Sequence, residues 1–194
     1  NWQSGVTFSG LAPGFYNIQI RDGVETACVI TLNGAYEITE PAVLSATISS
    51  TDVTCNGSTD GTITMSSPTG GYGTYQYTIN GGTSWQLSTS FATLAPGFYD
   101  VKIRDAVNTG CVITIDAAYE ITQPNILSAT LASTDVTCNG ASDGTITISA
   151  PSGGYGTYEY TINGGGSWQG TGNYTGLGPA TYDVRIRDAV NTGC

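Results

Sequence analysis

From Cys111 the chain reads CVITIDAAYEIT, which sets Ile113, Ile115, Ala117, Tyr119 and Ile121 on one side and Thr114, Asp116, Ala118 and Glu120 on the other. Alternation of period two over that length predicts a half-buried strand. After Gln123-Pro124, Leu127, Ala129 and Leu131 share one parity while Val136 and Cys138 take the other, which predicts a bulge or a switch of sheet near Ser133. Asn139-Gly140-Ala141-Ser142-Asp143-Gly144 is turn chemistry, with glycines for positive φ and Asn/Asp side chains for local backbone bonds. The strand TITISA follows, then a second turn at Pro151-Ser152-Gly153-Gly154. Next, TYEYTING alternates Tyr158, Tyr160 and Ile162 inward against Thr157, Glu159 and Thr161 outward, and the strand YDVRIRD closes the series. No stretch sustains a helical period. Strands separated by Gly-rich turns, about seven per unit, predict an all-β, Ig-like (PKD-like) sandwich.

The pattern recurs. Tryptophans stand at Trp2, Trp85 and Trp168, cysteines at Cys28, Cys111 and Cys194, and a second cysteine set at Cys55 and Cys138, so that within each set the same offset in residue number separates neighbours. Aligning residues 29–111 on 112–194 gives 57 identities in 83 positions without a gap. So regular a period marks a tandem array, and a unit of that length is large enough to own a core. The expected organisation is beads on a string. Residues 1–40 are the C-terminal part of one repeat, 41–123 a complete repeat, and 124–194 a second repeat that stops before its last strand, so further copies are expected in the parent chain. Tyr16, Tyr99 and Tyr182 each close a Leu-x-Pro turn before a strand, the placing of the tyrosine corner in Ig-like sandwiches.

Charge and composition remove whole classes of function. Five Lys and Arg against 15 Asp and Glu give a net charge of -10, and this repels a phosphate backbone, so nucleic acid is not an expected partner. With no histidine there is no imidazole base and no Ser-His or Cys-His pair. Glu37 and Glu40 suggest paired glycosidase carboxylates, but Glu40 becomes Gln123 one period on, so no catalytic residue is assigned and an enzyme is not expected. Apolar runs are only a few residues long, so no membrane insertion is expected.

Thr54-Cys55-Asn56-Gly57, Asp60-Gly61, Gly70-Gly71, Tyr75, Tyr77, Leu94, Gly97, Tyr99, Asp105, Gly110-Cys111 and Ile121-Thr122-Gln123-Pro124 together resemble the SprB repeat family. The family occurs in very large surface proteins of gliding Bacteroidota, among them a motility adhesin. The resemblance implies export by the gliding-associated (type IX) secretion system, an extracellular place on the cell surface, and a filament that adheres to substrates or other cells. Ala180, where the family favours glycine, and Glu25 and Ala27 before Cys28 depart from the pattern at turns.

Five cysteines in such a chain point to disulfides. Three pairings respect the period. A spacing of 56 joins Cys55 to Cys111 and Cys138 to Cys194, which a regular sandwich places at opposite poles, roughly 25 Å apart. A spacing of 27 joins Cys28 to Cys55 and Cys111 to Cys138, closing a long hairpin about Gln123-Pro124-Asn125. A spacing of 139 joins Cys55 to Cys194 and staples one unit to the next. Among ligand sites, Asp60, Asp105, Asp143 and Asp188 carry oxygen donors suited to calcium, although ordinary turn formation explains Asp residues equally well. Trp85 and Trp168 offer rings for stacking on sugars, although a single Trp per sandwich also suits a core. No other cofactor or metal is expected.

The expected role is a structural and adhesive spacer in a very large secreted surface protein. Two alternatives are a repeated low-affinity module for carbohydrate or protein, acting through avidity on extracellular polysaccharide or other cells, and a self-assembling extracellular fibre that joins several chains.

Overall fold

The computed structural model describes residues 2–194. Every regular element is a strand, as the Thr-, Ile- and Tyr-rich alternation predicts. A hairpin comes first, β1 (Gly14–Arg21) and β2 (Val29–Ile38). The complete repeat holds β3 (Ser45–Thr51), β4 (Gly61–Thr69), β5 (Tyr75–Thr78), β6 (Ser90–Leu94), β7 (Gly97–Asp105) and β8 (Val112–Ile121). The second repeat holds β9 (Ser128–Thr134), β10 (Gly144–Ser152), β11 (Tyr158–Thr161), β12 (Asn173–Leu177) and β13 (Arg185–Asp188).

In the complete repeat two antiparallel sheets, ordered β3-β4-β6 and β5-β7-β8, face each other. This is the Ig order A-B-E against C-F-G without strand D. The repeat therefore has six strands rather than about seven. One of the six, β6, lies in the Gly-rich, variable stretch after Trp85 where alternation gives no strand signal. The second repeat copies the plan with sheets β12-β10-β9 and β11-β13. Its β13 is a strand over four residues where β7 runs for nine.

Inward residues of both sheets form the core. Leu44, Val53, Ile63 and Met65 meet Tyr77, Val101, Ile103 and Ile121, and all are buried. In the second repeat Ile146, Ile148 and Tyr160 take the same places, with Tyr158 and Ile162 packed beside them. The change of parity after Leu131 is a switch of sheet. Its counterpart in the complete repeat leaves β3 at Asp52, and Val53 donates its N–H to the Thr122 carbonyl (3.2 Å) beyond the end of β8, in the opposite sheet. At Gly70 and Gly153 (φ +80° and +82°) the preceding linker passes so close that a Cβ would strike the carbonyl of Val43 or Ile126. Only glycine fits there.

On β8, Ile121 is buried and Ile115 and Tyr119 pack on the core, but Ile113 at the far end is 37% exposed. Replacing Ile103, fully buried, by alanine should therefore cost about 2–5 kcal/mol, while Ile113→Ala should cost less than about 1 kcal/mol. Chemical denaturation of the two variants checks the assignment of faces.

Candidate functional site

The feature that the fold builds most deliberately is the junction between repeats. β8 ends at Ile121, whose side chain fills the base of the core, and the next three residues are fastened to the loop after β3. Thr122 donates its N–H to Asp52 Oδ1 (2.7 Å), Gly57 donates its N–H to Gln123 Oε1 (2.9 Å), and Asn56 Nδ2 donates to the Pro124 carbonyl (3.0 Å). Cys55 in that same loop is bonded to Cys194 of the second repeat, with Cα atoms 5.4 Å apart. A linker held by these three hydrogen bonds and by that of the Val53 N–H to the Thr122 carbonyl, and bypassed by a disulfide, has little freedom to bend.

The pairing is thus the one at spacing 139. Cys28, Cys111 and Cys138 are free and exposed. Spacing 56 fails because Cys55 sits beside the end of β8 and Cys111 before its start, roughly 30 Å apart for ten extended residues. Spacing 27 requires β8 and β9 to form a hairpin. Instead β8 pairs with β7 and β9 with β10, in different repeats, so Cys111 and Cys138 lie at far ends of successive sandwiches.

At the opposite pole stands a buried carboxylate. Asp105 accepts N–H bonds from Tyr72 (2.6 Å), Val107 (2.8 Å) and Asn108 (2.8 Å), which ties the β4–β5 turn to the β7–β8 turn. Asp188 repeats this with Tyr155, Val190 and Asn191. The N–H groups of Asn108, Tyr72 and Val107 hold the Asp105 carboxyl below the usual range, against the opposing effect of burial. For Asp188 burial is the largest influence and pushes upward, but the three N–H bonds outweigh it and the net shift is downward. Asp60 and Asp143 sit at the other pole. Each accepts the hydroxyl and the N–H of one threonine, Thr54 or Thr137, and the threonine hydroxyl is the main cause of its lowered pKa. Within each repeat the structure therefore places the two aspartates of the calcium reading at opposite poles, in two environments, with their oxygens already engaged by donors. No group of three His, Cys, Asp or Glu able to hold a metal occurs among the described residues.

Trp85 and Trp168 are half-buried at the side of the sandwich. Arg104 lays its guanidinium over Trp85 at 4.4 Å from the ring centroid and Arg187 does the same to Trp168 at 4.3 Å, as Arg21 does to Trp2 at 4.5 Å. The indole N–H of Trp85 is used by the Gly82 carbonyl. One face of each ring is thus occupied by a cation, leaving a sugar only the other. Alternation alone misses this pair, but the constant offset from each Trp to its Arg carries the signal. Tyr16, Tyr99 and Tyr182 each donate the phenol hydroxyl to the carbonyl four residues earlier, at 2.7, 2.7 and 2.9 Å, pinning the turn that precedes β1, β7 and β13.

A protein-family model described as "SprB repeat" matches residues 47–84 and again 130–167, spans that are themselves one period apart. Each span runs from β3 or β9 through the turn before the tryptophan. No curated protein and no solved structure matches the chain. Repeats of this family are modules of adhesin-like cell-surface proteins.

Asp105 and Asp188 set an acid limit. A carboxyl with a lowered folded pKa adds stability above its unfolded value, near 3.9, and loses it as pH falls through the folded value. Thermal melts should be flat from neutrality to about pH 5 and fall steeply below about pH 4. Asp105→Asn should lower the melting temperature at neutral pH by several degrees and flatten the acid limb, because an amide cannot accept all three N–H bonds without turning its own donors on them.

Proposed function

We propose that a chain carrying two SprB repeats joined in this way is a stalk segment of a large adhesin-like surface protein, holding a distal binding tip away from the cell. In this reading the parent protein leaves the cell by the type IX route and works extracellularly, in adhesion of the gliding-motility kind. Contact with polysaccharide or other cells belongs to the tip.

The observation that carries the proposal is the stapled junction. A pure ligand-binding array needs neither a clamped linker nor a bridge between units, whereas a spacer under load needs both. The copies also differ most at Leu87–Phe91 against Gly170–Tyr174, beside the tryptophans, where a repeated ligand site would have to be constant. Charge helps as well, since a strongly acidic rod of low cation content resists collapse on itself and on acidic cell surfaces.

The bridge makes a prediction specific to a load-bearing chain. Pulled from its two ends, the oxidised protein can lengthen only through residues 1–55, since the force then passes from Cys55 directly to Cys194. At about 3.5 Å per extended residue the full extension is on the order of 190 Å, rising to on the order of 680 Å once the bridge is reduced. Single-molecule force spectroscopy with and without reductant reads the difference. Equal extension in both states would remove the mechanical argument, and saturable binding of cells or polysaccharide by this chain alone would favour the ligand-module reading.

A further inference from the structure

Asn56-Gly57 lies in the loop that clamps the junction, and Asn-Gly is the least durable dipeptide a protein can place there. In a mobile Asn-Gly segment the glycine nitrogen attacks the asparagine Cγ, because no Cβ on the second residue stands in the way. Both residues are exposed, and nothing lies within 4 Å of where a Cβ on Gly57 would be, so neither crowding nor exclusion of water prevents the reaction. Hydrogen bonds prevent it instead. The Ser58 N–H closes the turn on the Cys55 carbonyl (3.0 Å), and with Gly57 at φ +79° the turn is of type II. From this turn the Gly57 N–H reaches Gln123 Oε1 (2.9 Å), while the Asn56 amide donates to the Pro124 carbonyl (3.0 Å). Nucleophile and electrophile are each tied to the linker, and both ties must break before the nitrogen can swing onto Cγ.

Elsewhere the dipeptide is restrained differently. At Asn80-Gly81 the Asn80 Oδ1 accepts the Thr78 hydroxyl (2.7 Å) and the Ser84 N–H (3.1 Å), Nδ2 donates to Ser84 Oγ (2.8 Å), and the Gly81 N–H reaches the Asp100 carbonyl (3.0 Å). All four bonds lie within one sandwich. Asn163-Gly164 repeats them with Thr161, Ser167 and Asp183. At Asn56 the restraints come from the linker between two sandwiches, so its chemistry is coupled to the junction and not to the stability of a core.

We infer that Asn56 is a modification site gated by the junction: it deamidates when the linker leaves the loop 52–57, and the product keeps the linker from returning. Gly57 N gives up its proton and bonds to Asn56 Cγ, the Cγ–Nδ2 bond breaks, and the amide nitrogen leaves as ammonia. Water then opens the cyclic imide at either carbonyl, leaving aspartate or isoaspartate at position 56. Neither product has an amide to donate, and a carboxylate beside the Pro124 carbonyl sets two acceptors against each other. Isoaspartate also adds a methylene to the backbone before Gly57, which carries its N–H away from Gln123. A brief opening of the junction is thereby converted into a permanent loosening.

The test follows deamidation of the whole chain, Asn1 to Cys194, in mildly alkaline buffer by peptide mapping and mass spectrometry. In the oxidised protein Asn56 should react far more slowly than in a free peptide of residues 54–60. Gln123→Ala should speed the reaction roughly fivefold, the change in open population that one net hydrogen bond is worth. Gln123→Glu keeps an acceptor oxygen and should leave the rate low. Reducing the Cys55–Cys194 bridge frees the linker to move away and should speed the reaction as well. Asn80 and Asn163 should stay slow in every arm. Asn56→Asp, which reproduces the simpler product, should let dithiothreitol reduce the bridge faster than in the wild type. The inference is overturned by equal rates in peptide and oxidised protein, by no acceleration in Gln123→Ala or on reduction, or by equal acceleration in Gln123→Glu. A parallel rise at Asn80, which would mean that the sandwich itself had opened, or an unchanged reduction rate in Asn56→Asp would overturn it too. None of these outcomes bears on the stalk reading, which is decided by extension across the bridge.

Discussion

The structure hangs on where β8 ends. Ile121 must fill the base of one core, and three residues later the chain must enter the next sandwich at Pro124. That leaves no slack, and the loop 52–57 takes up several of the polar groups of the crossing. Asp52 receives Thr122, Gly57 reaches Gln123, and Asn56 reaches the Pro124 carbonyl, so the backbone groups that a short linker would expose find partners. The same loop carries Cys55, which explains why the bridge crosses the junction and does not lie within a unit. One strand end thus fixes the core, the linker and the disulfide together.

The opposite pole obeys a matching rule with different chemistry. There the β4–β5 and β7–β8 turns are brought together by a carboxylate that no water reaches, Asp105. A buried charge is tolerated because three N–H donors solvate it. Its equivalent in the first hairpin, Asp22, likewise accepts the N–H groups of Val24 and Glu25 in its own turn. Asp105 and Asp188, two of the aspartates that sequence alone offers for calcium, thus serve as internal ligands of the backbone.

Much of this is legible in the sequence. Period-two alternation locates the strands around Tyr158 and Tyr160 and the sheet switch after Leu131, but it sets Thr161 outward where the structure buries it, its hydroxyl bonded to Asn163 Oδ1. The constant offset between copies sets the units. β6 and β12 are hidden because LSTSFATL and GTGNYTGL share little except the aromatic at Phe91 and Tyr174 and the closing Leu94 and Leu177, the side chains in each that pack on the core. The disulfide is hidden because three pairings fit the period equally well and only the course of β8 and β9 decides among them. At Glu40 and Gln123 the exchange reads as surface drift. Gln123 shows what such drift must keep, an oxygen that accepts the Gly57 N–H, and glutamate carries one too.

Any array that repeats this bridge once per unit acquires a mechanical property that no single unit has. In such an array the bridges would overlap, since a separation of 139 residues exceeds the single period to the next bridge, and the array would hold two interleaved covalent paths. Along either path the force leaves one bridge at a cysteine equivalent to Cys111 and enters the next at one equivalent to Cys138. The short segment between those two cysteines is the sole extensible length in two full repeats. Unfolding a sandwich under load would then lengthen the stalk very little, and breaking it would require reducing a disulfide rather than peeling a sheet. Stability of the individual bead, modest in a domain of this size, ceases to limit the strength of the string.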